Sequence, residues 1–354
     1  MKKKILVTGA NGHLGCNTVR ALLTKGYAVK AFVRKTSDLI GLKDLPLTFC
    51  YGDVRDRTAL LEAAKDCEVI IHHAAVYKIW AKTAEEIIQP AVEGTKNIFE
   101  VGAASGIQRI IFTSSTYAIG PSDHPDIVRT EKDWNEHENL PYAIAKTKSE
   151  KIAWELADKH KLPMISLCPA AVFGRYDYKV TPSNRMVLDM LKGMGITVEG
   201  LLSCIDVRDV GEIHALAVEK GNTGERYILT GNNIRMRELG EMVNKLTGIR
   251  VPHLPFNRST NIAMGKMMEL LAKTTGWDPP LTAGLAREYS HRFAQFDNSK
   301  MIKDFNYTPY SFEETIHDTI RWFLYLNKAK LNGRRSGNKV ADKFEPDTEW
   351  IAGV

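Results

Sequence analysis

The chain has 354 residues, 44 % hydrophobic and 25 % charged, which suits a soluble globular enzyme with one full domain and a smaller second lobe. A net charge of +6 with scattered basic residues can attract an anionic cofactor but argues against a nucleic-acid partner. No stretch approaches membrane-spanning length and the N-terminal lysines run straight into a strand, so the expectation is a cytoplasmic protein without membrane insertion. Cys16, Cys50, Cys67, Cys168 and Cys204 lack metal-ligand or disulfide spacing and read as buried thiols.

Ile5 to Val7 is a short apolar run that reads as a buried parallel strand. Gly9, Gly12 and Gly15 follow at intervals of three. The first permits a tight turn, the second removes a Cβ that would keep a diphosphate away, and the third lets the next helix lie close on the sheet. Backbone N–H groups at the start of that helix, Leu14 to Lys25, would hold a pyrophosphate. Gly9, Asn11, Gly12, His13, Leu14 and Gly15 are therefore candidate cofactor contacts. Strand two, Ala28 to Val33, ends in Arg34-Lys35 where an NAD-selective chain would carry a carboxylate. Arg34 offers a planar fork to a 2′-phosphate and Lys35 a supporting charge, which favours NADP over NAD. The plainer alternative is a solvated basic turn.

A third strand, Leu47 to Tyr51, leads to Gly52-Asp53-Val54. Asp53 would accept from the adenine amino group with Val54 against the ring, or else cap the helix Arg57 to Ala64. Val69 to His73 is the fourth strand. His72 and His73 point to opposite faces and no further ligand completes a site, so they are assigned to packing or a backbone hydrogen bond and no metal is assigned. Ala74-Ala75 leaves room for a cofactor at the sheet edge. Helix Ala84 to Ala104 and strand Arg109 to Thr113 continue the alternation of a Rossmann-type, doubly wound parallel α/β sheet.

The chemistry-bearing residues come next. Ser115 follows the fifth strand, and Pro141 opens a helix that sets Tyr142 and Lys146 one turn apart on one face. An ammonium beside the phenol would lower its pKa, so that Tyr142 exchanges a proton with a carbonyl oxygen while hydride moves at carbon. Lys146 also reaches the nicotinamide ribose, and Ser115 fixes the substrate oxygen. A Tyr-x-x-x-Lys spacing alone is weak, because any exposed helix can carry it. Its occurrence after a glycine turn and a strand-ending serine is specific.

Strand Leu162 to Leu167 ends at Pro169, and Ala170 to Gly174 reads as a turn at the carboxyl edge. Helix Met186 to Met194, strand Ser203 to Ile205, helix Val207 to Lys220 and strand Glu225 to Thr230 follow. Helices Met236 to Leu246, Thr260 to Thr274 and Thr282 to Arg292 belong to the smaller lobe, where Met264, Met267, Met268 and Leu271 have core spacing. Ser311 to Lys330 is a last amphipathic helix. The expected division is 1–168 for the dinucleotide-binding domain, 169–330 for the substrate lobe with about 203–230 returning to the first domain, and 331–354 for a polar tail in which Phe344 and Trp350 could make an ordered contact.

These motifs resemble the extended short-chain dehydrogenase/reductase family, also called the NAD-dependent epimerase/dehydratase family, over about Lys3 to Lys330. Thr8 to Gly15 matches the family's cofactor turn, Gly52-Asp53-Val54 its adenine-side motif, His73-Ala74-Ala75 its cleft loop, and Ser115, Tyr142 and Lys146 its catalytic triad. Gly94-Thr95-Lys96-Asn97, Pro169 to Gly174 and Asp206 to Val210 match further family motifs. Val76 to Trp80 and Pro309 to Glu314 are similar to hopanoid-associated epimerase-like members, and the chain also resembles dihydroflavonol reductase-like ones. The resemblance implies a homodimer, a C-terminal substrate lobe, and cofactor contacts from Ala74, Ala75 and Pro169. Two positions depart from the nucleotide-sugar pattern: Cys168 to Val172 lacks its Arg-Pro and nearby Asn, and Leu202 stands where an arginine would hold phosphate. Arg175 or Arg185 could compensate. The preferred reading is an NADP-dependent reductase of a mostly apolar ketone or aldehyde, with a small-molecule alcohol as product. The alternative is an NAD-dependent nucleotide-sugar epimerase or dehydratase that recycles its own hydride.

Overall fold

The computed structural model describes residues 2–73, 83–136, 140–275, 279, 281–328 and Phe344. The N-terminal half runs β1 (Lys4–Thr8), α1 (His13–Thr24), β2 (Ala28–Val33), β3 (Thr48–Tyr51), α2 (Arg57–Ala64), β4 (Val69–His72), α3 (Glu85–Ala104), β5 (Arg109–Thr113), α4 (Pro141–His160) and β6 (Met164–Pro169). It continues through β7 (Ala171–Phe173), α5 (Pro182–Leu191), β8 (Thr197–Val198), β9 (Leu201–Asp206), α6 (Val207–Leu216), β10 (Arg226–Leu229), β11 (Asn232–Arg235) and α7 (Met236–Thr247). The last elements are β12 (His253–Leu254), α8 (Arg258–Thr275), α9 (Ala283–Tyr289), α10 (Ser299–Phe305) and α11 (Phe312–Tyr325).

Strand side chains alternate between the two faces of a fully covered parallel sheet. Ile5 and Val7 join the core shared with α1, α6 and α11, while Leu6 joins the opposite core with α2, α3 and α4. The result is a Rossmann-type sheet in the order β10-β6-β5-β4-β1-β2-β3, every pair parallel. The order reverses between β1 and β4. Loops leaving their carboxyl ends diverge there and open a crevice, which is where ligands bind in such sheets.

Additional C-terminal helices form a substrate-binding lobe above that crevice. A small sheet, β11-β9-β7, joins the two parts. Ala170 to Gly174, read from sequence as a turn, holds β7 instead, whose three residues pair in parallel with β9. The reason is tertiary, since three residues gain strand geometry only from a partner far along the chain. The returning segment is likewise mixed. β10 joins the large sheet beside β6 and α6 packs on α1, whereas β9 stays in the small sheet. On α8, Met264 and Met268 pack against Val198 and Leu281, but Met267 and Leu271 are 57 % and 51 % exposed. The expected packing stripe therefore holds for one side of it. Phe344 is buried and stacks on His317 of α11, with ring centroids 4.8 Å apart; the other residues of 331–354 lie outside the described residues. Among the described residues no helix is long and apolar enough to cross a membrane.

Candidate active site

One cavity of about 1170 Å³ runs along the carboxyl ends of the strands and into the C-terminal lobe. Gly9, Asn11, Gly12, His13, Leu14 and Gly15 all line it. Gly9 has φ 69°, which opens the turn, and Gly12 N–H donates to its carbonyl at 3.0 Å. A Cβ on Gly15 would collide with the Gly9 carbonyl oxygen and the Ala10 backbone, so only glycine lets α1 start this close to β1. Gly12 caps α1 without a side chain, and the N–H groups of its first turn have no intrahelical acceptor. That concavity suits a diphosphate.

At the far end, Arg34, Ser37, Asp53 and Val54 line the cavity; exposed Lys35 does not. Asp53 is gripped by Arg55 (Nε to Oδ1 2.9 Å, Nη2 to Oδ2 3.1 Å), whose hydrogen bonds hold its carboxyl below the usual range. The helix cap weighed for Asp53 belongs to Asp56, which accepts from Thr58 and Ala59 N–H. A Cβ on Gly94 of α3 would meet Val54, and Asn97 donates to the carbonyls of Val54 and Arg55 at 3.1 and 3.0 Å. The Gly94 to Asn97 motif thus fixes the loop that carries Val54. Ala74 and Ala75 lie outside the described residues, as does 76–80; Pro169 lines the cavity beside β7.

Ser115, Tyr142 and Lys146 meet in the middle of the wall, each less than a tenth exposed. Ser115 lies two residues past β5, and its hydroxyl accepts from Tyr117 N–H at 3.2 Å and hydrogen-bonds with the Tyr142 phenol. Lys146 Nζ donates to the Thr113 carbonyl at 3.0 Å and lies 6.0 Å from the Tyr142 ring centroid. Burial lowers the ammonium's pKa from 10.5 to about 8. Burial also raises the Tyr142 phenol well above its ordinary value, with the Ser115 bond pulling the other way. This corrects the expectation that Lys146 lowers the phenol: desolvation outweighs a charge whose proton is committed to a backbone oxygen.

Behind this wall His72 and His73 find threonine hydroxyls rather than backbone groups, while His214 Nδ1 pairs with the Val210 carbonyl at 2.7 Å. His72 Nδ1 pairs with Thr8 Oγ1 at 2.8 Å and His73 Nδ1 with Thr113 Oγ1 at 2.9 Å, the latter hydroxyl also meeting His214 Nε2 at 3.0 Å. Burial depresses all three imidazoles, His72 to about 3 and His214 to about 4, which keeps them neutral. Ser114 donates to Glu150 Oε2 at 2.6 Å, and Glu150 also accepts from Ser166 at 2.7 Å and from Arg226 Nε and Nη2 at 2.8 and 3.0 Å. Glu150 stands one turn past Lys146, so its spacing from Tyr142 and Lys146 was a legible sign of a buried acid needing partners.

The lobe side of the cavity contains Leu201, Leu202, Ser203 and Phe296, with Tyr117, Glu288, Tyr289 and Arg292. No motif marked the last four. Arg175 and Arg185, weighed as phosphate donors, do not line it. Arg175 is ion-paired with Asp318 at 2.7 Å and Arg185 with Asp189 at 2.6 Å. Arg292 does line it, and pairs with exposed Asp123 at 2.6 Å.

Fold, glycine turn and cavity define an NAD(P)-binding oxidoreductase of the extended short-chain dehydrogenase/reductase superfamily, acting on a small organic substrate. Residues 5–230 match the model of the NAD dependent epimerase/dehydratase family, and the chain belongs to that family. It is 34 % identical over 257 residues to sterol demethylase protein B of Methylococcus capsulatus, covering 70 % of this chain and 76 % of that one. It is 30 % identical over 325 residues to a putative dihydroflavonol 4-reductase of Synechocystis, covering 90 % and 93 %. The crystal structure of gox2253, 31 % identical, superimposes with a TM-score of 0.81 over 93 % of this chain and all of that one. The family description bears more directly on the epimerase or dehydratase alternative than on net NADP-dependent reduction.

Proposed function

We propose that the protein reversibly reduces a ketone or aldehyde of mostly apolar character, with NADP as preferred cofactor and Tyr142 as proton donor. The observation that carries this reading is the meeting of Ser115, Tyr142 and Lys146 on the wall of the cavity that also holds the glycine turn. The residues fit a dinucleotide, because Gly15 is flush against the turn and the first N–H groups of α1 are open toward the cavity. When bound, the nicotinamide supplies or takes the hydride.

The chain's own residues do the rest. His13, Leu14 and Gly15 N–H groups would bind the diphosphate, Arg34 and Ser37 the 2′-phosphate with Lys35 adding charge, and Val54 the adenine face. Lys146, steadied by the Thr113 carbonyl, would hold the nicotinamide ribose. Ala74, Ala75 and Pro169 would border the ring. Ser115 aligns the carbonyl oxygen with the Tyr142 phenol, which gives up its proton as the alkoxide forms. A phenol kept protonated by burial is prepared for the reductive direction.

The second reading, an epimerase that returns the hydride to the other face of its substrate, is favoured by the family description and by Arg292, a guanidinium able to take a phosphate in the lobe half of the cavity. Single-turnover reactions of apolar ketones with 4-deuterated NADPH, and of UDP-sugars with NAD+, separate the two. Net reduction puts deuterium into an alcohol product, and Tyr142→Phe slows that step by about 10²-fold or more with NADPH affinity kept. Conversion of a UDP-sugar to its epimer with NAD+ and without net NADH release, or an unchanged ketone-reduction rate in Y142F, overturns the reading.

A further inference from the structure

Asp177, Glu269 and Glu288 are acidic groups of the cavity wall. Asp177 accepts from Thr181 N–H and hydroxyl at 2.6 Å and from Asn184 at 2.9 Å, and Glu269 accepts from Ala283 N–H at 3.0 Å. Both are held within their own segments. Glu288 of α9 differs, because the groups acting on its carboxyl include Tyr117 and Arg292, which line the cavity with it. The Tyr117 ring meets the Tyr142 ring edge-on, with centroids 5.4 Å apart and planes at 84°. Tyr289, next in the chain, also hydrogen-bonds with Tyr117. The group is held from below, since Ser115 Oγ accepts Tyr117 N–H and Asn135 donates to the Tyr117 carbonyl at 2.9 Å. Tyr117, Glu288 and Tyr289 thus share the cavity wall with Tyr142.

Burial raises the Glu288 carboxyl, and Tyr117, Arg292 and Arg258 act against that rise. A carboxylate has about four acceptor sites, and a ligand hydroxyl satisfies one that a hydrocarbon leaves desolvated. We propose that Glu288, beside Tyr117 on the cavity wall, is a second anchor for the substrate, accepting a hydrogen bond from a substrate hydroxyl other than the reacting group. The substrate class is then a hydroxylated apolar ketone, whose reduced form is a diol. This rests on the carbonyl chemistry above only for the identity of the reacting group.

The test uses 4-hydroxycyclohexanone and 4-methylcyclohexanone, which match in size and differ in the hydroxyl. Their binding to the NADPH complex is titrated by NMR, and NADPH oxidation is followed separately. Wild type should bind the hydroxyketone at least fivefold more tightly. Glu288→Leu should abolish or invert that preference with the NADPH dissociation constant unchanged, Y117F should weaken it, and E288Q should keep part of it. Equal affinity for the two ketones, no binding of either, or a preference that survives in E288L overturns the anchor. Oxidation of NADPH by both ketones without discrimination sinks the anchor and leaves reduction standing. Discriminating binding without NADPH oxidation sinks reduction and leaves the anchor.

Discussion

Lys146→Met should make the ligand-free protein more stable at neutral pH and remove a definite piece of its pH dependence. The folded chain releases the Lys146 proton near pH 8, whereas an unfolded chain keeps it to about 10.4. Below pH 8 both states are protonated, and the folded one carries the full cost of an ammonium taken from water. At 1.36 kcal/mol per pH unit that cost is about 3 kcal/mol. The variant also loses the Nζ to Thr113 carbonyl bond, a charged hydrogen bond of roughly 1.5–3 kcal/mol, so the net gain at pH 7 is on the order of 1 kcal/mol. Between pH 8 and 10.5 the unfolded wild type binds more protons than the folded, so wild-type stability rises relative to the variant. Urea unfolding of both proteins at several values from pH 6.5 to 10.5, followed by tryptophan fluorescence, measures the difference directly. A difference that stays flat across that range, or grows in favour of the variant above pH 8, refutes the buried-ammonium account.

Arg34→Ala should weaken NADPH binding about tenfold or more and change NADH binding about twofold or less, because only the first has the extra phosphate; paired calorimetric titrations decide it, and equal losses for both cofactors refute the assignment. Glu150→Ala should cost about 3–5 kcal/mol, because it leaves the Arg226 guanidinium buried and unpaired. The neighbouring indoles report it, Trp134 lying under Arg226 and Trp154 bonding Glu150, and a loss below about 1 kcal/mol in urea unfolding counts against the network.

The elements that could be read from the sequence are those whose signal is local. β2 is apolar but for Lys30 and β5 carries Ile110 to Phe112, and their bounds in the structure are the expected Ala28–Val33 and Arg109–Thr113. α4 begins at Pro141, whose fixed φ and missing N–H suit a first turn, and this delivers Tyr142 and Lys146 to one face. β7, β8, β11 and β12 are two to four residues long, and each exists because of a strand elsewhere in the chain. Such pairs have no periodicity to read. α10 also went unread, since its seven residues are too few for a repeating stripe.

The same division explains why the reacting end of the site was legible and the substrate end was not. A glycine turn, a strand-ending serine and a Tyr-x-x-x-Lys helix each combine residue type with fixed spacing, because the cofactor and the proton transfer demand a fixed geometry. Substrate contacts obey no such constraint. Arg175 is a plausible phosphate ligand by position, yet Asp318, 143 residues away, takes its guanidinium. Arg292, which does reach the cavity, was read as the last residue of a helix, but α9 ends at Tyr289 and leaves it beyond the helix. Leu202, by contrast, lines the cavity as an apolar residue with no hydrogen bond to offer a phosphate, while the Arg292 guanidinium lines the same cavity. Whether that guanidinium is available depends on exposed Asp123, a surface partner whose attraction is screened by salt. Asp123→Asn should strengthen binding of UDP-glucose to the cofactor complex if Arg292 serves phosphate, and leave it unchanged if Arg292 only braces the loop before Phe293.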